Sequence, residues 1–380
     1  MQKTIAALGE ELINRENARH LLPTPALILD LNALEENIQW MAHFAREKKI
    51  ALRPHFKGHK SVAIARLQIE AGALGVSCAT LGEAEILVCG KIPGVLITSP
   101  IVTGDKIARL IQLNQEAENL MVVVDNLQNI KDLARAQEKK KKPLQLLIDF
   151  DIGQNRTGTK SAEEAVALAK HVQTCPGLKF VGLQAYGGHM QHIGDYVDRQ
   201  RIIQMQNKKI GSLGEKLQPF ITTDLIVTGG GTGTFALDAE AHIYTELQPG
   251  SYLFMDVQYS QVALLSNRSS PFKSALFVLA SVVSSHPDFA IVDAGLKAFA
   301  TDGPTPKIFA GAPEGSTYAF MGDEHGKVLL SNRNGLLPLG HKVEFLTPHC
   351  DPTVNLYDFY HCMRGNTLVS IWPVDARGLH

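Results

Sequence analysis

The stretch Ile50-Ala51-Leu52-Arg53-Pro54-His55-Phe56-Lys57-Gly58-His59-Lys60 sets a lysine between two histidines where a short apolar run ends. The run reads as a strand, and if the chain stays extended through the motif, His55, Lys57 and His59 share one face, because side chains alternate. An ammonium is a poor nucleophile. Neighbouring cations and partial desolvation favour the free amine, which imine formation with an aldehyde cofactor requires. Lys57 is therefore a candidate Schiff-base lysine, with a solvated basic turn as the alternative reading.

Outward from this motif the same unit recurs. From about residue 25 to 255, short apolar runs alternate with amphipathic helical patterns, the signature of a parallel sheet with crossover helices. Strands are predicted over 26–29, 50–53, 75–78, 95–98, 121–124, 144–150, 180–185 and 225–227. Eight units in about 230 residues fit a closed (β/α)8 barrel better than an open sheet. Helix starts are marked by Asp30 or Asn32 ahead of Glu35 and Ile38, and by Ser161 ahead of Glu163 and Glu164. Beyond Asp256 the pattern changes to strand-like runs at 275–283, 289–292, 327–330, 342–345 and 367–372, separated by Gly, Pro, Asn and Asp clusters. That is the pattern of an antiparallel β-domain. The expected α/β architecture is a barrel over 23–256, with 1–22 and 257–380 forming the β-domain.

Composition narrows the function classes. The chain has 380 residues, 45% hydrophobic and 20% charged, as in a soluble globular protein. Its 37 basic residues nearly cancel 38 acidic ones, so net charge points to no polyanionic partner. The one dense basic run, Lys139 to Lys142, has no interleaved aromatic residues and reads as a solvated loop rather than a nucleic-acid site. Five scattered cysteines without a CxxC pair suit a reducing cytoplasm. No apolar run reaches the roughly 18 residues of a membrane span, and the N-terminus lacks a signal-peptide pattern.

In such a barrel the chemistry lies just after each strand. This places Lys57, Ser99, Asp151 to Arg156, Tyr186 to His192 and Gly229 to Thr234 around one mouth. The glycines Gly229, Gly230 and Gly231, followed by Thr232, suit a phosphate cradle, since backbone amides can approach an anion closely. Gly250 and Ser251 can complete it. Arg156 is placed either to clamp a phenolate or carboxylate or to pair with Asp151 at the rim. His189 and His192 at a barrel mouth point to a general base or metal ligand. In the β-domain, His349 and Asp351 would face one way on an extended strand and could bind one divalent cation, Mn2+, Mg2+ or Zn2+, with open positions left for substrate.

Together these segments closely resemble the D-threonine aldolase family, metal-activated pyridoxal-phosphate enzymes built on the alanine-racemase-type barrel. The resemblance rests on RPHxKxHK at Arg53, GLQAY and GxxQH ending at His192, GGGTG at Gly229, YTELQxGSYxFMD at Tyr244, DAGLK at Asp293, DEHG at Asp323 and PHCDPTxN at Pro348. It spans nearly the whole chain. It implies that Lys57 holds pyridoxal 5'-phosphate as an imine, that His192 is the base acting on the substrate hydroxyl, and that His349 and Asp351 bind the metal, Mn2+ foremost. It further implies Arg156 near the cofactor's phenolic oxygen, Tyr186 near its ring, and Gly230, Gly231, Thr232, Gly250 and Ser251 around its phosphate.

The expected activity is retro-aldol cleavage of a small D-β-hydroxy-α-amino acid, D-threonine or D-3-hydroxyaspartate, by a cytoplasmic homodimer without nucleic-acid or membrane partners. Related dehydratases look like they carry HxC in the metal motif, so His349-Cys350-Asp351 favours the aldolase. A D-serine or D-3-hydroxyaspartate dehydratase is the alternative, and a non-catalytic pyridoxal-phosphate carrier a more distant one. A racemase, which needs two opposed acid/base groups and no metal, fits less well.

Overall fold

A computed structural model of the chain describes residues 9–138, 140–221, 223–266, 270–332 and 335–379. Eight parallel strands follow one another in a ring: Ala51–Leu52, Val76–Cys78, Val95–Ile97, Met121–Val124, Leu144–Asp149, Leu178–Ala185, Ile226–Gly229 and Glu246–Leu247. Their runs are mostly apolar because both faces are covered, as in Met121–Val124, where every residue is buried. The ring closes beside Lys57. There His55 bridges Ser77, and the amides of Leu74 and Ser77 donate to Leu52 O and Pro54 O, both at 2.9 Å.

One strand is not where the sequence pattern put it. Ala26–Asp30, expected as the first barrel strand, belongs to the second sheet, antiparallel to Leu276–Ser285 and parallel to Phe359–Arg364. A four-residue apolar run buried on both faces satisfies either sheet, and periodicity cannot choose between them. Its place in the ring is taken by Glu246–Leu247, which is too short to show as an apolar run.

Among the described residues the second sheet has nine strands, antiparallel except for that one ladder. Lys307–Ala310, Thr317–Phe320 and Phe359–Arg364 were not anticipated. The first of these is largely exposed even though three of its four residues are apolar. Residues 9–22 contribute turns and the short helix Ala18–Leu21, whose Ala18 packs with Leu12, Leu22, Phe277 and Met363 on this sheet. Residues 1–8, also expected there, lie outside the described residues. So does Lys139 of the basic run, which continues as a bend through Lys142.

Caps fall where the sequence placed them. Asp30 Oδ1 accepts the amides of Asn32 and Ala33 ahead of helix Leu31–Lys48, and Ser161 accepts that of Glu164 ahead of Ala162–Gln173. Helix Val62–Glu70, which follows the lysine motif, is different. Its N-cap Ser61 makes no side-chain bond, and Asp375 Oδ2 from the C-terminal segment accepts Val62 N–H at 2.7 Å instead. Lys60 Nζ reaches Glu83 Oε1 at 3.3 Å and Ala376 O at 3.2 Å, and Tyr360 donates to His59 O at 2.6 Å. The β-domain thereby grips the turn that carries Lys57. No helix among the described residues is long and apolar enough to cross a membrane.

Candidate active site

Lys57 sits in a 3-10 turn, Phe56–Gly58, rather than in extended chain. His55 Nδ1 accepts the Lys57 amide at 3.3 Å and so starts the turn. The turn rotates His59 away from the face expected for it. His59 is fully buried, edge-on to Phe56, with Nδ1 accepting Ser61 N–H. His55 and Lys57 remain on the cavity wall.

The charge state of this lysine also differs from expectation. Lys57 Nζ lies 3.4 Å from Asp351 Oδ2. That carboxylate holds the ammonium above its ordinary range, against the opposing effect of burial. Neighbouring imidazoles do not lower it by their charge, because burial, and secondarily Lys57 itself, pushes His55 down to about 3, and burial pushes His59 to about 3.

His192 packs against Tyr259 with ring centroids 4.6 Å apart. Burial, then the nearby His349, lowers its pKa, so the neutral, proton-accepting ring prevails at neutral pH. The residue before it, Gln191, is the glutamine of the GxxQH motif, to which the sequence assigned no contact of its own. It is buried, with Nε2 donating to Gly187 O and Thr234 Oγ1, both at 3.2 Å, while Oε1 accepts Gly233 N–H at 2.9 Å.

This explains part of the glycine run. A Cβ on Gly233 would stand 2.0 Å from Gln191 O, and one on Gly231 2.5 Å from Gln191 Oε1. Gly230 has φ +67° and faces Asp238 rather than the cavity. Among the described residues, the amides of Thr232, Gly250 and Ser251 find no acceptor, whereas those of Gly231 and Gly233 do. Arg156 lies over the Tyr186 ring, 5.9 Å from its centroid. It does not pair with Asp151, which bonds Lys160 and accepts the amides of Gly153 and Gln154.

His349 and Asp351 are not on an extended strand. His349 is the N-cap of helix Cys350–Val354 and Asp351 its second residue. The helix is held to the barrel's last loop by Asp256, whose Oδ2 accepts Cys350 N–H at 3.0 Å and whose Oδ1 accepts that of Tyr259 at 2.9 Å. This one buried carboxylate fixes His349 and Asp351 relative to the aromatic that supports His192. Gly58 leaves room for Asp351, since a Cβ there would stand 3.0 Å from its Oδ1. Sequence reading also missed Asp302, whose Oδ2 lies 2.8 Å from His349 Nδ1. It occurs in a turn-like TDGPTP stretch that carries no metal-binding spacing.

The structure thus brings Lys57, Arg156, Tyr186, His192, Gly231, Thr232, Gly250, Ser251, His349 and Asp351 around one cavity of about 230 Å3. A second, of about 190 Å3, shares Lys57, Arg156 and Tyr186 and adds Thr98, Ser99 and Thr157. Volume does not locate this site, because a groove of about 620 Å3 between helices Tyr196–Leu217 and Phe235–Glu240 is larger. The residues fit pyridoxal phosphate, with an accessible amine, a guanidinium beside an aromatic face, and unpartnered amides across the cavity. They also fit a divalent cation. His349 and Asp351 are the two candidate donors, and no group of three or more His, Cys, Asp or Glu among the described residues is placed to enclose a metal.

The alanine racemase N-terminal domain model matches residues 29–258, and a serine dehydratase domain model matches 275–363. The chain is 37% identical over 362 residues to a 3-hydroxy-D-aspartate aldolase of Paracoccus denitrificans strain Pd 1222, covering 94% of this chain and 92% of that one. It is 37% identical over 356 residues to a D-threonine aldolase of an Arthrobacter species, covering 93% of each. Among solved structures, D-threonine aldolase from Filomicrobium marinum superposes with a TM-score of 0.89 at 38% identity, covering 94% of this chain and 96% of that one.

Proposed function

Because the chain belongs to the D-threonine aldolase family and is a carbon–carbon lyase of the alanine-racemase-type fold, we propose that it cleaves D-β-hydroxy-α-amino acids to glycine and an aldehyde. The observation that carries this reading is the cavity on which Lys57 and His192 from the barrel meet His349 and Asp351 from the β-domain. D-Threonine, giving acetaldehyde, and D-3-hydroxyaspartate, giving glyoxylate, are the candidate substrates.

Lys57 is the residue to hold pyridoxal phosphate, with Arg156 toward its phenolic oxygen and Tyr186 against its ring. Thr232, Gly250 and Ser251 would donate amides to the phosphate; Gly231 lines that wall and Gly230 shapes the turn. His349 and Asp351 would hold a divalent cation, Mn2+ foremost. When bound, pyridoxal phosphate supplies the sink for the electron pair of the broken Cα–Cβ bond, and the cation the Lewis acid that lowers the β-hydroxyl pKa. His192, neutral and with a free lone pair, takes the hydroxyl proton. The tight packing of Gln191 into the glycine turn keeps that ring at a fixed place on the wall. D-selectivity follows if only the D-isomer sets its hydroxyl between His192 and the His349–Asp351 pair. The protein is proposed to be a cytoplasmic homodimer; a monomeric mass in light scattering would remove the second part.

The test is to incubate the protein with pyridoxal phosphate, Mn2+ and D- or L-threonine or D-3-hydroxyaspartate. Glycine with acetaldehyde or glyoxylate from the D-isomers, lost on adding a chelator, is the expected result. A 2-oxo acid with ammonia would instead make the protein a dehydratase.

A further inference from the structure

The imidazole of His349 has two nitrogens, and only one can face a cation. Its Nδ1 is 2.8 Å from Asp302 Oδ2. An ionised carboxylate can only accept, so Nδ1 carries the proton and Nε2 keeps the lone pair. The contact has a built support. Ala300 N–H donates to Thr353 Oγ1 at 3.0 Å, and the Thr353 hydroxyl donates to the carbonyl of His349 itself at 2.8 Å. Thr353 is fully buried, so the loop that presents Asp302 is fastened to the backbone of the residue Asp302 orients. Stability does not account for the pair. Asp302 is 54% exposed, and solvent screening leaves such a surface contact little to contribute to folding.

We infer that Asp302 is a positioning residue for the cation site: by accepting Nδ1–H it fixes the tautomer and ring orientation of His349 that leave Nε2 for a divalent cation. This rests on the proposal that His349 and Asp351 are the ligands. Carboxylates that accept the second ring N–H of a metal-binding histidine typically change metal affinity by about 10- to 100-fold.

The experiment titrates Mn2+ into metal-stripped, pyridoxal-phosphate-loaded protein by calorimetry, for the wild type, Asp302→Ala and Asp302→Asn. The Kd should rise by about 10- to 100-fold in Asp302→Ala. It should rise less in Asp302→Asn, whose amide oxygen can still accept Nδ1–H, while the absorbance of the bound cofactor stays the same in all three. Asp302→Ala binding Mn2+ as tightly as the wild type overturns the inference. So does Asp302→Asn losing as much as Asp302→Ala, which would make the carboxylate a direct ligand. A wild type that takes up no Mn2+ rejects the ligand assignment itself, before any variant is compared.

Discussion

Replacing Asp351 by Asn keeps the shape of the side chain and removes the charge 3.4 Å from Lys57 Nζ. At that separation the attraction is about 1 kcal/mol in water and about 5 kcal/mol at an effective dielectric of 20. Lys57 is 43% exposed, so the lower half of that range applies. It corresponds to a fall of roughly 1 to 2 pKa units. The sign follows from what remains. Asp351 is the main cause of the raised Lys57 pKa, and without it burial, the strongest remaining influence, acts downward. Only the free amine attacks an aldehyde, and below the pKa each unit lost multiplies its fraction by ten. In metal-stripped protein, pyridoxal phosphate should therefore become borohydride-trappable on the Asp351→Asn variant about 10 to 100 times faster at a given neutral pH. Peptide mass mapping, with Lys57→Ala as the blank, reads the modified lysine. Superimposable pH–rate profiles for the variant and the wild type would refute the claim that Asp351 governs this amine.

His192→Ala should lower kcat by about 100- to 10,000-fold while cofactor absorbance persists, and loss of the cofactor would instead make the residue structural. Asp238 is buried, and burial raises its carboxyl from 3.8 to about 7. A raised carboxyl pKa means that the folded state holds the proton more tightly, so stability falls as pH rises from about 4 to 7, by up to about 4 kcal/mol. Asp238→Asn should flatten that slope and unfold at higher denaturant than the wild type at pH 8; an unchanged pH dependence would count against the shift. Asp375→Ala removes the cap of helix Val62–Glu70 supplied by the C-terminal segment, and should destabilise by about 1 kcal/mol and loosen cofactor retention, as read by dialysis. Retention equal to wild type would show that the C-terminal segment does not hold the Lys57 turn.

The residue chemistry was legible in the chain itself. Lys57, His192, His349 and Asp351 stood out by type and spacing, the strand–helix alternation declared a barrel, and Asp30 and Ser161 declared their helices. These signals are local, because a cap bonds an amide two or three residues on and a periodic pattern repeats within one element. Tertiary structure decided what depends on partners far along the chain. It sent Ala26–Asp30 to the other sheet, where Leu276–Ser285 and Phe359–Arg364 lie on either side, and gave its ring position to Glu246–Leu247. It coiled Phe56–Gly58 and Cys350–Val354 where extended chain was expected, taking His59 out of the site while keeping His349 and Asp351 on its wall. It gave Gln191, read from the sequence only as part of a motif, its contacts with the glycine turn, and it introduced Asp302, whose value lies only in what it touches. It also reversed the expected sign at Lys57, since electrostatic influence follows distance in space, and a carboxylate 294 positions away in sequence is 3.4 Å away in the fold.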